Sequence, residues 1–110
     1  MRLGPLETGF SRVEDPGKVA VPAEPGKGNP PPMYPRDAER RGEQGVVVLR
    51  VRIDAGGNAT SVDVIESSGY PDLDAAARAR LTTWRFQPGR RQDGTPAPDV
   101  IEIGINFQLH

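Results

Sequence analysis

Apolar and polar positions alternate along the stretch Val100 to Leu109. Ile101, Ile103, Ile105, Phe107 and Leu109 fall on one side; Val100, Glu102, Gly104, Asn106 and Gln108 fall on the other. Successive side chains of a strand point to opposite faces, so the pattern predicts a half-buried β-strand. Val46 to Ile53 alternates in the same way, with Val47, Leu49, Val51 and Ile53 on one face. A further strand is expected from about Ala59 to Glu66, with Val62 and Val64 turned inward. The stretch between them, Asp54-Ala55-Gly56-Gly57-Asn58, has the chemistry of a hairpin loop, because glycine enters φ > 0 without steric cost. After Asp72, a fair N-cap, the period changes to 3.6: Leu73, Ala76, Ala77, Leu81 and Trp84 form one stripe of a helix. Arg80 falls inside that stripe, and its stem is expected to lie along the sheet edge with the guanidinium in water. Upstream, Pro35 suits the first position of a short polar helix over Arg36 to Arg41. Gly42 would stop that helix and Tyr34 would pin it to the body.

The order short helix, strand, strand, helix, strand predicts an α+β fold. Its centre is a three-stranded antiparallel sheet of order 2-1-3, with the main helix and the short N-terminal helix packed on one face. The last strand then lies at an edge and presents a row of unpaired backbone N–H and C=O groups. Residues 1–29 carry five glycines and four prolines without a sustained apolar period. Such a stretch cannot offset its ordering entropy, so it reads as a disordered Pro/Gly-rich spacer before a domain over residues 30–110. Pro30-Pro31-Pro32 stiffens its end into polyproline II. Pro22 to Pro25 also spells P-x-x-P, the alternative of a proline ligand for a groove.

Charge and chemistry narrow the picture mainly by exclusion. Fourteen basic and fifteen acidic residues leave a net charge of −1, with no nucleic-acid footprint. There is no cysteine, which removes disulfides and the usual zinc frameworks. No run approaches the ~20 apolar residues of a membrane span, and Met1-Arg2-Leu3 does not open a signal peptide. The expectation is a soluble chain or a soluble piece of something larger. The only histidine is His110, and no Ser-His-Asp set, H-E-x-x-H or G-x-S-x-G is present. Asp72 and Asp74 are explained by a helix N-terminus, and Arg85, Arg90 and Arg91 read as a solvated basic loop. An enzyme, a cofactor and a metal are not expected.

Several separated signatures occur together. They are Tyr34-Pro35, Gly45 before a valine-rich strand, S-S-G-Y-P-D-L-D-A-A-A from Ser67, W-R-F-Q-P from Trp84, and a terminal strand ending F-Q-L. In this order and spacing they resemble the TonB C-terminal domain family over about Asn29 to Leu109. Arg78 and Arg80 depart from the apolar or small residues common in that helix. Pro31 and Met33 stand where members tend to carry glutamine.

The resemblance implies a periplasmic module of a Gram-negative bacterium, anchored in the inner membrane by a segment outside this chain and energised there by a proton-driven motor. On that implication the chain is a fragment beginning at an added Met1. Its partner would be the extended N-terminal box of an outer-membrane TonB-dependent transporter that imports siderophores or similar cargo. The free edge supplies a physical reason: an extended peptide can add to it as a new strand through backbone hydrogen bonds. The expected peptide-binding set is Glu102, Ile103, Gly104, Ile105, Asn106, Phe107 and Gln108 with Tyr34 and Pro35. Micromolar affinity, about −8 kcal/mol, is expected. Rival readings are a homodimer joined through two such edges or through Val46, Val48 and Val100, and a TolA-like envelope-spanning protein.

Overall fold

A computed structural model of the chain describes residues 10–12 and 19–109. In chain order the elements are β1 (Phe10–Arg12), β2 (Glu24–Pro25), α1 (Arg36–Arg40), β3 (Gly45–Ile53), β4 (Ala59–Glu66), α2 (Pro71–Leu81), β5 (Phe86–Gln87), β6 (Gly89–Arg90), β7 (Pro96–Ala97) and β8 (Asp99–Phe107). β8, β3 and β4 form the expected antiparallel order, third strand beside first beside second. The β3–β8 register runs unbroken from Gly45↔Phe107 to Ile53↔Asp99. That pairing places Val47, Leu49, Val51 and Ile53 beside Ile101, Ile103, Ile105 and Phe107 on one face, all essentially without solvent exposure. Full burial of each such side chain stabilises by roughly 1.5–3 kcal/mol. From α2, Leu73, Ala77 and Leu81 cover the same face.

The hairpin between β3 and β4 turns at Gly57, whose φ is +83°. A Cβ there would lie 2.2 Å from the Phe86 carbonyl oxygen, so glycine is required twice over. The close approach is used: Phe86 N–H donates to Gly57 O at 2.9 Å. Asp54 accepts the Gly56 and Asn58 backbone N–H groups, each at 2.9 Å, and closes the loop. Those bonds, the Asn58 backbone bond foremost, hold its carboxyl below the usual 3.8, although desolvation works the other way.

α1 starts one residue later than expected, with Pro35 as its N-cap, and ends in a Schellman motif. Glu43 N–H donates to Ala38 O and Gly42 N–H to Glu39 O, with Gly42 at φ +69°. Tyr34 pins it as expected: its ring meets Phe107 edge-on at 5.4 Å, and its hydroxyl donates to Glu43 O. In α2 the cap is Tyr70, not Asp72. Pro71 takes the first helical position, because its missing N–H has no partner to lose there. Asp72 sits in the first turn and pairs instead with Arg41 at 2.6 Å. The helix ends at Leu81, so Trp84 lies beyond it and still reaches the core.

Two expectations are corrected. The main sheet has four strands, order β1-β8-β3-β4, because Phe10–Arg12 pairs antiparallel with Ile101–Ile103. The stretch expected to be a spacer is also built into the fold from Val19 onward. Ala20 and Val21 donate to Arg90 O at 2.6 and 3.0 Å, Gly26 donates to Arg85 O, and Glu24–Pro25 pairs with Phe86–Gln87. Ala23 is fully buried, and its N–H donates to the buried carboxylate of Asp99 at 3.0 Å. The side-chain amide of Asn29 both donates to Arg85 O and accepts from Arg85 N–H, imitating one step of a ladder. Trp84 Nε1 donates to Pro30 O at 2.6 Å. Residues 1–9, 13–18 and His110 lie outside the described residues, and with them the remaining parts of the expected spacer.

Trp84→Ala should lower unfolding free energy by about 3–5 kcal/mol in urea titration, because it opens a core cavity. Trp84→Phe should cost only about 1–3 kcal/mol, chiefly by leaving Pro30 O without its donor. Asp54 gives a pH test. A carboxyl whose folded pKa is depressed contributes stability that is complete above its unfolded value, here near 3.8, and is lost as pH falls through the folded value. The stability gap between the native chain and Asp54→Asn should therefore be present at neutral pH and close below that value.

Candidate strand-docking edge

The expected site residues separate along β8 into two sets. Ile103, Ile105 and Phe107 point into the core with no exposure. They set the position of the strand and offer no side chain to a partner. Glu102, Gly104 and Asn106 face outward and are half-buried. Glu102 pairs with Arg50, its cross-strand neighbour on β3, at 3.2 Å. A Cβ at Gly104 would meet only Val46 Cγ1, at 3.9 Å, so the domain itself does not demand glycine there. Gln108 lies past the strand end, and Gln44 Oε1 accepts the next backbone N–H, that of Leu109, at 3.0 Å. Tyr34 is brought to Phe107, at the far end of the strand, while Pro35 serves only as the cap of α1.

The edge itself is not free along its whole length, which corrects the expectation of an open flank. β3 occupies one side of β8 throughout; on the other, β1 pairs at Phe10↔Ile103, Ser11↔Glu102 and Arg12↔Ile101. From Gly104 to Phe107 no strand pairs on that outer side among the described residues. β8 thus offers a lane of four residues that continues into a lane already taken. Phe10-Ser11-Arg12 is too short for alternation to register in a sequence, so no signal there could have exposed it.

The opposite edge of the sheet, β4, is treated differently. Arg78 of α2 sends Nε to Val62 O at 3.0 Å, so one outward carbonyl already has its donor. Arg80, expected at this edge, instead lines a shallow groove with Met33, Ala76, Ala79 and Thr83. The helix sits over the sheet so that Arg78, two residues earlier and about 200° round the helix axis, reaches the edge. Shifts of register between Val48 and Leu49 and between Arg52 and Ile53 also break the line of β4 against β3. Irregular, charged edges of this kind discourage strand addition.

Another expectation changes on the outer face. Val100 is only 6% exposed and lines a depression with Val19, Arg52 and Thr60. It cannot join Val46, which is 48% exposed, in an outward patch for self-pairing. The basic residues are solvent-exposed as expected, and each also bonds locally: Arg85 donates to Asn58 Oδ1 at 2.7 Å, Arg90 to Gly94 O at 2.9 Å and Arg91 to Pro96 O at 2.8 Å. Among the described residues, no group of three or more His, Cys, Asp or Glu side chains could hold a metal ion.

Comparison with known proteins agrees with this architecture. A family model described as "Gram-negative bacterial TonB protein C-terminal" matches residues 30–109. Protein TonB of Xanthomonas campestris pv. campestris is 41% identical over 80 residues, covering 73% of this chain and 35% of that protein. Protein tonB2 of Pseudomonas aeruginosa is 41% identical over 83 residues, covering 74% of this chain and 30% of that protein. Protein TonB of Neisseria gonorrhoeae is 45% identical over 81 residues, 74% of this chain and 26% of that protein. The chain therefore spans about a third or less of these relatives' lengths. The solution NMR structure of the Pseudomonas aeruginosa TonB CTD has a TM-score of 0.67 at 25% identity, over 92% of this chain and 95% of that one.

The bond from Ala23 to Asp99 is the deepest hold on the leader. Asp99→Ala should cost about 1–3 kcal/mol, since it strands a buried N–H. Hydrogen exchange should then quicken selectively at Ala20, Val21, Ala23 and Gly26, with the β3 amides unchanged; uniform quickening across the sheet would refute a local hold.

Proposed function

Because this chain belongs to the family of Gram-negative TonB protein C-terminal domains, we propose that it is the periplasmic, partner-gripping end of an energy transducer. In this reading it binds the extended N-terminal box of outer-membrane TonB-dependent transporters by adding it as a strand to β8. A membrane anchor outside this chain would connect it to a proton-driven motor of the inner membrane, and the work delivered would admit siderophores or similar cargo. The observation that carries the reading is the outer side of Gly104–Phe107, unpaired among the described residues and backed by a row of fully buried side chains on its inner face.

Strand addition suits such a task for physical reasons. Its hydrogen bonds join main chain to main chain, so partners of varied side chains can be served by one edge. Each bond contributes a net of only about 0.5–1.5 kcal/mol, so a short ladder by itself gives modest equilibrium binding. A pull directed along the strands loads these bonds together, so resistance to force exceeds what equilibrium affinity suggests. Nothing in this mode needs a cofactor or a reacting group.

Peptides copying N-terminal boxes of outer-membrane transporters should shift the amides of Gly104–Phe107 with Kd in the micromolar range, about −8 kcal/mol. A copy N-methylated at alternate backbone nitrogens should bind at least about tenfold more weakly, because methylation removes the ladder donors. Shifts confined to residues 46–66 would overturn the reading. Concentration-dependent sedimentation that peptide does not reverse would point to self-pairing instead.

A further inference from the structure

β1 occupies the same side of β8 that a partner strand would use, immediately beyond the open lane. We propose that β1 is an internal occupant of the docking edge, and that a partner strand must displace it to run the length of β8. This rests on the reading of β8 as the docking strand and adds a regulator to it.

The leader is fastened unequally. From Val19 to Pro32 it is held by backbone bonds to Arg85 and Arg90, by the Asp99 carboxylate and by Trp84 Nε1. Val19 and Ala23 are buried in the process. This part cannot leave without opening the core. Among the described residues, β1 pairs at three positions. Isolated strand pairs of that length are marginal in water, and β1 persists because it is tethered close to its seat. A short tether keeps a segment at an effective concentration on the order of millimolar. That is enough to hold a weak strand in place for much of the time, and too little to exclude a longer competitor. A partner can first zip onto Gly104–Phe107 and then advance against β1 one pair at a time.

The apparent dissociation constant rises as the inverse of the fraction of molecules whose edge is clear, so an edge clear one-tenth to one-third of the time weakens binding about three- to tenfold. Ser11→Pro, and separately Phe10→Pro combined with Arg12→Pro, test this in the full chain. Alternate residues of an antiparallel strand aim their N–H groups at the neighbour, so one variant or the other must remove ladder donors. In that variant, exchange at Ile101, Glu102 and Ile103 should quicken while β3 and α2 stay protected. The transporter-derived peptide should bind it about three- to tenfold more tightly than the native chain. A synthetic peptide copying residues 7–14, added in trans, should shift the Ile101–Ile103 amides of the variant more than those of the native chain. Equal Kd in the native chain and both variants would overturn the proposal and leave docking at β8 intact. Failure of the transporter peptide to bind any of the three would overturn both.

Discussion

The pairing of β3 with β8 is the constraint on which the rest depends. Nine residue pairs run from Gly45↔Phe107 to Ile53↔Asp99 without a bulge. A slip by one residue would turn every core side chain of β8 to water, so register and burial enforce each other. Both ends are pinned by unrelated contacts. At one end Tyr34 stacks edge-on against Phe107, and Gly45 lies so close to Ser68 that a Cβ would approach its carbonyl oxygen to 2.8 Å. At the other end Asp99 binds the leader through Ala23, and the hairpin at Gly57 bonds to Phe86. The outer side of β8 is positioned as firmly as the core itself.

Most of that framework was legible because it is written in periodicity. The alternation of Val46–Ile53 and Val100–Leu109, the hairpin glycines and the apolar stripe of α2 are each long enough to specify an element and its buried face. Topology then followed from short connections and the handedness of the crossover. Trp84 was readable as a core residue even though the helix stops short of it, since large apolar volume has few other places to go.

The leader was not legible, for a physical reason. Its attachments are two-residue bridges, single backbone bonds and side-chain stand-ins such as Asn29 and Asp99, none of which leaves a period. Composition correctly says that glycine- and proline-rich segments lack a core of their own, but this one borrows the core of its neighbour. The confusion of Arg80 with Arg78 has a similar origin. Angular position on a helix ranks residues around its axis; where the axis sits over the sheet is decided by the packing of Leu73, Ala77 and Leu81. The same blindness hid the burial of Val100, which lines a depression with Val19, a residue far away in sequence.

The two edges of the sheet show what the leader changes. β4 has one carbonyl occupied by a guanidinium from its own covering helix, with irregular register beside it. β8 is closed in part, by a strand of three residues on a tether. On the proposed reading the two have opposite uses: irregularity and charge discourage pairing at β4, while a displaceable strand would shield β8 until a longer one arrives. The tether's place in the chain adds direction. On the proposed function, a pull entering from the N-terminal side would reach the pairs with Ile101–Ile103 before the bonds of Val19–Pro32. A short ladder would therefore stand first in line, beside a strand braced along its whole length by β3 and the core.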